Sequence, residues 1–190
     1  PATEGQRAAL RQQLGLPVDA VVLCFVGSGF ERKGLASAIR AIAGTPAWLI
    51  VVGQDKAESR YRDLARSLGC EGQIRFLGMQ KETLPFYQLS DGLLLPTLYD
   101  PFPNVILEAM ACGLPVITSE SCGGAEFIQQ GQNGFYCDAL DINTLKEAIA
   151  ATPSLGKNNT MGQAARERVK DATPEKLSSQ LISLYQKLLD

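Results

Sequence analysis

Two hydrophobic patterns take turns along the 190-residue chain. Glu4 to Leu14 spaces its apolar residues at a helical period and is closed by Gly15 and Pro17, whereas Ala20 to Val26 (AVVLCFV) is an unbroken apolar, β-branched run of the kind that fills a buried parallel strand. The exchange then repeats. Helical stretches at Leu35–Ala43, Ala57–Leu68, Thr83–Ser90 and Asn104–Cys112 separate strand-like runs at Trp48–Val52, Gln73–Leu77, Leu93–Leu95 and Pro115–Thr118, with Pro96 stopping one strand and Gly113 one helix. A short strand at Gly134–Cys137 and helices near Asn143–Ala151, Thr160–Lys170 and Pro174–Leu189 complete the chain. The segment PSLGKNN is the single loose, polar linker. Strands and helices alternating five or six times predict an α/β fold, a doubly wound, Rossmann-like parallel sheet with helices on both faces. In such a sheet the loops that follow strands meet at the carboxyl edge and make one crevice there. The length suits one core, so residues 1–190 are expected to form a single domain.

Composition removes several classes of chemistry. No apolar run approaches the roughly 20 residues that span a bilayer, and the polar start PATEGQRAALRQQLG is no secretion signal, so a cytoplasmic protein is expected. A net charge of -2 gives no general attraction to nucleic acid or anionic lipid; any phosphate must be held by local groups. Cys24, Cys70, Cys112, Cys122 and Cys137 are scattered without a C-x-x-C pair, which favours reduced thiols over disulfides or zinc. Histidine is absent, which excludes a self-contained Ser-His-Asp or Cys-His nucleophile and a histidine-ligated metal. No D-x-D pair offers a carboxylate clamp either. Neither a metal nor a cofactor is expected, and charge for a bound anion must come from Lys, Arg and helix amides.

The candidate chemistry centres on LLLPTLYDPFPNVILEAMACGLPVITS, residues 93–119. Tyr99, Asp100, Pro101, Phe102 and Pro103 hold a carboxylate in a stiff loop, aimed before any ligand arrives. With Pro103 at the first helical position, the amides of Asn104 and Val105 lack acceptors and form an anion site favoured by the helix dipole. Glu108 lies among apolar residues one turn on, where burying a carboxylate requires hydrogen-bond donors such as sugar hydroxyls. Two acids with seven residues between them and an anion site in the middle fit a ligand with hydroxyls at both ends and phosphate between. A surface acid beside a helix acid paired with Lys or Arg is the plain alternative. Earlier in the chain, GSGFERKG supplies Gly27, Gly29 and Gly34 for close backbone approach and the cations Arg32 and Lys33 ahead of a helix. A lysine about 4 Å from a phosphate gains on the order of 4 kcal/mol at an effective dielectric of 20, before desolvation. Solvated turn charges are the alternative reading of this loop. It lacks the third glycine of G-x-G-x-x-G and the Ser or Thr of a Walker loop. Asp55 in GQDK is either a ribose acid of a dinucleotide-dependent oxidoreductase or a helix cap. Glu126 after Gly123 and Gly124 either reaches a nucleotide or complements a helix start.

The acid, seven residues, acid spacing in its LEAMACGLPVI context closely resembles the family-four (group 1) retaining glycosyltransferases of the GT-B fold. The fragments GSGFERKG and VVGQDKAESRYRDLARSLG resemble, within that family, the lipopolysaccharide-core glucosyltransferases that act on heptose, while SESCGGAEFI follows the general family pattern. The resemblance covers roughly residues 4 to 190 and corresponds to the carboxyl, donor-binding half. It implies that Asp100 contacts the transferred sugar, Glu108 the ribose hydroxyls, the Asn104 and Val105 amides the distal phosphate, and Arg32 and Lys33 the donor diphosphate. It places the turn FLGMQK, with Met79 and Gln80, against the base; the core glucosyltransferases carry an Arg where Met79 stands, and a methionine packs on a ring but cannot donate to it. The implied partners are a nucleotide sugar, UDP-glucose above all, and a saccharide acceptor such as the lipopolysaccharide core, held by an absent amino half that also provides any membrane association. The implied reaction is hexose transfer with retention and without metal. A nucleotide-binding module without chemistry is the remaining alternative.

Overall fold

The computed structural model describes residues 3–152 and 159–189. Helix α1 (Glu4–Gln13) opens with a capping box in which the Thr3 hydroxyl accepts from the Gln6 amide and the Gln6 side chain accepts from the Thr3 amide. Then follow β1 (Val22–Val26), α2 (Leu35–Ile42), β2 (Trp48–Val52), α3 (Glu58–Ser67), a 3-10 turn at Glu71–Gln73, β3 (Ile74–Gly78), α4 (Leu84–Leu89), β4 (Gly92–Leu95) and α5 (Asn104–Ala111). The chain continues through β5 (Val116–Ser119), a second 3-10 turn at Gly123–Phe127, β6 (Gly134–Cys137), α6 (Ile142–Ala151), α7 (Thr160–Val169) and α8 (Pro174–Leu189). Each predicted element is present to within two residues at its ends. The segment after Gly123 is a 3-10 turn, and of the expected linker residues 153–158 lie outside the described residues.

All pairings are parallel, in the order β3-β2-β1-β4-β5-β6. The chain winds outward from β1 to β3, returns to the centre at β4 and winds outward again the other way. That reversal makes the β1/β4 boundary the topological switch point, the place where open α/β sheets bind ligands. Helix α2 packs against α3 and α6 on one face of the sheet, while α1 packs against α4 and α5 against α7 on the other. Covered on both sides, the central strands have no polar alternation: Leu23 to Phe25, Leu49 to Val51 and Leu93 to Leu95 are all fully buried.

A charged cluster ties α1 to the amino edge of the sheet, and nothing in the sequence pattern announces it. Arg11 donates from Nε to the Leu89 carbonyl at 2.9 Å, from Nη1 to the carbonyls of Val18 and Ala20 at 2.8 Å each, and from Nη2 to Asp91 Oδ2 at 2.5 Å. Asp91 also accepts from the Val22 amide at 2.7 Å and from Arg7. Burial pulls the Arg11 pKa down and the Asp91 charge pushes it back. The guanidinium survives burial because its donors meet oxygens in the interior.

Candidate functional site

The loop after β1 is glycine-rich but firmly tied. Gly27 N donates to the Val52 carbonyl at 2.9 Å, and Phe30 N donates to Asp55 Oδ2 at 2.8 Å. The Phe30 ring is buried edge-on against Phe25 and Tyr61, with centroids 5.9 and 5.6 Å away. Asp55 Oδ1 meanwhile accepts from Ala57 N at 2.8 Å, just ahead of α3, and the two amides hold this carboxyl below the usual carboxylate range. Asp55 thus closes a turn just ahead of α3 and anchors the glycine loop besides; it is not the helix cap that one of the two sequence readings made it, since Ala57 is the N-cap and no side chain caps the helix.

The loop after β4 lies directly against it. Thr97 Oγ1 and Leu98 N both donate to the Arg32 carbonyl at 2.8 Å, and Arg32 Nη1 donates to the Tyr99 carbonyl at 3.1 Å. A Cβ on Gly34, at φ 75°, would sit 1.8 Å from the Pro96 carbonyl oxygen, so the two loops meet at a contact that only glycine permits. The far side is braced by the segment after β5. Gly123 N donates to the Asp100 carbonyl at 2.9 Å, Ser121 Oγ donates to the Thr97 carbonyl at 3.1 Å, and Ser119 Oγ reaches the same carbonyl. The stiffness credited to two prolines is thus reinforced by these bonds. Gly29, read as a point of close approach, has open space around its Cβ position and serves the turn instead, at φ 72°.

Between these loops three charges meet. Asp100 Oδ2 accepts from Lys33 Nζ at 2.6 Å and from Arg32 Nη1 at 2.7 Å. Burial alone would raise the Asp100 pKa; the hydrogen bonds and charges of Lys33 and Arg32 outweigh it and hold the carboxyl below its ordinary value. The family resemblance assigned sugar-contacting acid and phosphate-binding cations to separate parts of a ligand, whereas here they bind one another. The acid paired with Lys and Arg exists, and it is Asp100.

Helix α5 begins at Asn104, as its composition predicts, but Pro103 precedes the first helical position instead of filling it. Pro103 is the N-cap, with φ -80° and ψ 115°, and Asn104 is the first helical residue. The anion site is unaffected: Ile106 N donates to the Pro103 carbonyl at 3.1 Å, which leaves the Asn104 and Val105 amides as the free donors of the first turn. Glu108 is a larger departure. Its side chain is not buried among apolar neighbours but exposed, on the stripe it shares with Asn104 and Ala111. Its Oε2 accepts a 2.8 Å hydrogen bond from the hydroxyl of Tyr87 on α4.

The other expected contacts lie farther out. Gln80 Nε2 donates to the Leu77 carbonyl at 2.6 Å, and Met79 is exposed, both at the end of β3 and two strands from β1. A main-chain bond from Gly53 N to the Gly78 carbonyl, 2.9 Å, links that turn to the central loops. Phe102 packs edge-on against Phe127 at 5.7 Å, and the Arg168 guanidinium covers the Phe127 ring. Glu126 offers its main-chain oxygen to Arg168 at 3.4 Å.

Residues 6–168 match the model of the family described as glycosyl transferases group 1. The chain belongs to the group 1 glycosyl transferases. Similar proteins include the lipopolysaccharide core biosynthesis glycosyltransferase LpsE of Rhizobium meliloti (strain 1021), 34% identical over 180 residues that make up 89% of this chain and 53% of LpsE. The lipopolysaccharide glucosyltransferase WaaG of Escherichia coli (strain K12) is 34% identical over 134 residues, 67% of this chain and 35% of that protein. A crystal structure of WaaG, a glycosyltransferase involved in lipopolysaccharide biosynthesis, superposes with a TM-score of 0.77 at 28% identity, over 91% of this chain and 48% of that one. This group 1 glycosyl transferase domain therefore spans about half or less of the length of these relatives, and its sheet is that of the GT-B enzymes. Its membership sets aside the oxidoreductase alternative, and the two amides on Asp55 agree with that. Among the described residues of the transferase domain no helix is long and apolar enough to cross a membrane. Sequence reasoning missed Tyr87 here, although a tyrosine inside the apolar helix LPFYQL was a signal, because a buried phenol needs a partner.

Proposed function

We propose that this chain is the donor-binding domain of a metal-independent hexosyltransferase that takes glucose from UDP-glucose, with retention, and passes it to a saccharide acceptor such as the lipopolysaccharide core. The observation that carries the reading is the meeting of Arg32, Lys33 and Asp100 at the switch point, beside the free amides that open α5. In this reading Arg32, Lys33 and the two amides take the diphosphate as it loses its bond to the sugar and gains charge, which fixed donors in a crevice stabilise well. Asp100 gives up the cations as the phosphates arrive and turns to the sugar hydroxyls. Glu108, at the rim, takes the ribose, and the Met79–Gln80 turn faces the base. The names of LpsE and WaaG support the acceptor class, and that of WaaG supports glucose.

The domain offers donor contacts from one side only. Acceptor and water exclusion belong to a second half, and without it much of a positioning contribution of about 7 to 11 kcal/mol is lost. The chain alone is thus expected to bind the donor without transferring its sugar. A thermal-shift panel of UDP, GDP, ADP and NAD, followed by an assay with labelled UDP-glucose and a heptose-containing acceptor, tests the reading. Stabilisation by UDP and turnover only by the longer protein are expected. Stabilisation by NAD alone would overturn it, as would turnover by the 190 residues alone for the half-enzyme part. A longer protein silent with every nucleotide sugar would leave a binding module.

A further inference from the structure

Tyr87 is only 1% exposed, yet it spends its hydroxyl on a side chain in solvent. The ring is locked in the core under α4, and the oxygen emerges against α5, where it donates to Glu108 Oε2 at 2.8 Å. Among the described residues no other side chain or amide donates to Glu108. The grip is one-sided: it holds Oε2, and among the described residues no hydrogen bond takes Oε1. An exposed glutamate without such a partner samples several rotamers, and each must be frozen out when a ligand binds. A buried hydroxyl on a neighbouring helix removes that freedom in advance, because its own position is set by packing.

We propose that Tyr87 is a positioning residue, whose hydroxyl holds one oxygen of Glu108 so that the other meets the vicinal hydroxyls of a ribose. The inference rests on the reading of Glu108 as the ribose acid. Burial above all, with the Cys24 thiol and Glu108 adding to it, pushes the Tyr87 pKa well above that of a free phenol, so the group remains a donor at any working pH. Tyr87→Phe keeps the ring that packs and deletes the oxygen that orients.

Calorimetry with UDP, 2′,3′-dideoxy-UDP and inorganic pyrophosphate separates the two claims. The unaltered chain is expected to prefer UDP over the dideoxy compound by about tenfold or more, the effect of a hydrogen bond to a charged group. Tyr87→Phe should narrow that preference by about threefold and leave pyrophosphate affinity unchanged. Glu108→Gln should nearly abolish the preference, and the double variant should match Glu108→Gln, because Tyr87 acts through Glu108. An unaltered chain that ignores the ribose hydroxyls, or does not bind UDP, would overturn the ribose assignment and the positioning role together. A normal preference that Tyr87→Phe leaves intact would overturn the positioning role alone. Equal losses for UDP and pyrophosphate would reduce Tyr87 to a packing residue and overturn it likewise.

Discussion

Strand β4 has a carboxylate–cation cluster at each end, and the two are built to opposite purposes. Asp91, immediately before the strand, is 0% exposed and faces Arg11, itself 1% exposed, whose other donors end on main-chain oxygens of the interior. Asp100, five residues beyond the strand, faces Lys33 and Arg32, whose side chains are 10% and 50% exposed. The ammonium of Lys33 spends one of its three donors on Asp100, and the guanidinium fork of Arg32 still opens to solvent. Charge and distance are nearly the same in both clusters. What differs is saturation: a buried cation with four of its five donors taken is a fastener, and one with donors open to solvent can change partners.

The largest expected effect comes from breaking the saturated cluster. Arg11→Met should lower unfolding stability by about 3 to 5 kcal/mol, because it leaves Asp91 buried without its main counter-charge. Asp100→Asn should cost less, about 1 to 3 kcal/mol, because Asn still offers an acceptor to the buried Lys33 ammonium while Arg32 returns to water. Urea titrations of both variants check this, and equal losses would erase the distinction between the clusters. Next in size, Lys33→Ala should weaken pyrophosphate binding by about tenfold, and Arg32→Ala by less, while Asp100→Asn should strengthen it by removing the resident anion. Calorimetry at two salt concentrations decides it, and all three affinities should ignore EDTA and added magnesium. A requirement for a divalent ion would mean that the charge inventory had been misread.

A smaller effect is set by pH. The carboxyls of Asp100 and Asp55 titrate lower in the folded chain than free carboxyls do. Their stabilisation is therefore complete above the unfolded value of about 3.9 and is lost as pH falls through the lowered folded values. Urea midpoints of Asp55→Asn and Asp100→Asn should approach those of the unaltered chain as pH drops from 5 toward 2.5. Differences that stay constant over that range would deny the ionic part of these contacts.

Much of the fold was legible because the central strands are covered on both faces and read as unbroken apolar runs. The site was legible in part. Asp100, Glu108 and the α5 amides lie within one short stretch, so spacing alone exposes them. The pairing of Asp100 with Arg32 and Lys33 spans 68 and 67 residues, and only the adjacency of β1 and β4 brings it about. Arg11 and Asp91 are separated by 80 residues and meet for the same reason. Glu108 was misplaced by counting its apolar neighbours instead of turning the helix. Asn104, Glu108 and Ala111, spaced four and three apart, share one stripe, and that stripe is the exposed one.

The two hydrogen bonds that Asp55 accepts from main-chain amides have a kinetic consequence. Because one carboxylate holds both Phe30 N in the glycine loop and Ala57 N before α3, opening either segment strips it of one of its two partners and weakens its hold on the other. The loop and the first turn of α3 should therefore behave as one cooperative unfolding unit, and their amides should exchange with deuterium at a common rate set by sub-global opening. Phe30 N, in a stretch whose composition suggests fast exchange, becomes a slow reporter of that event. The segment that must admit a ligand would then loosen and tighten together with the helix that packs beside α2.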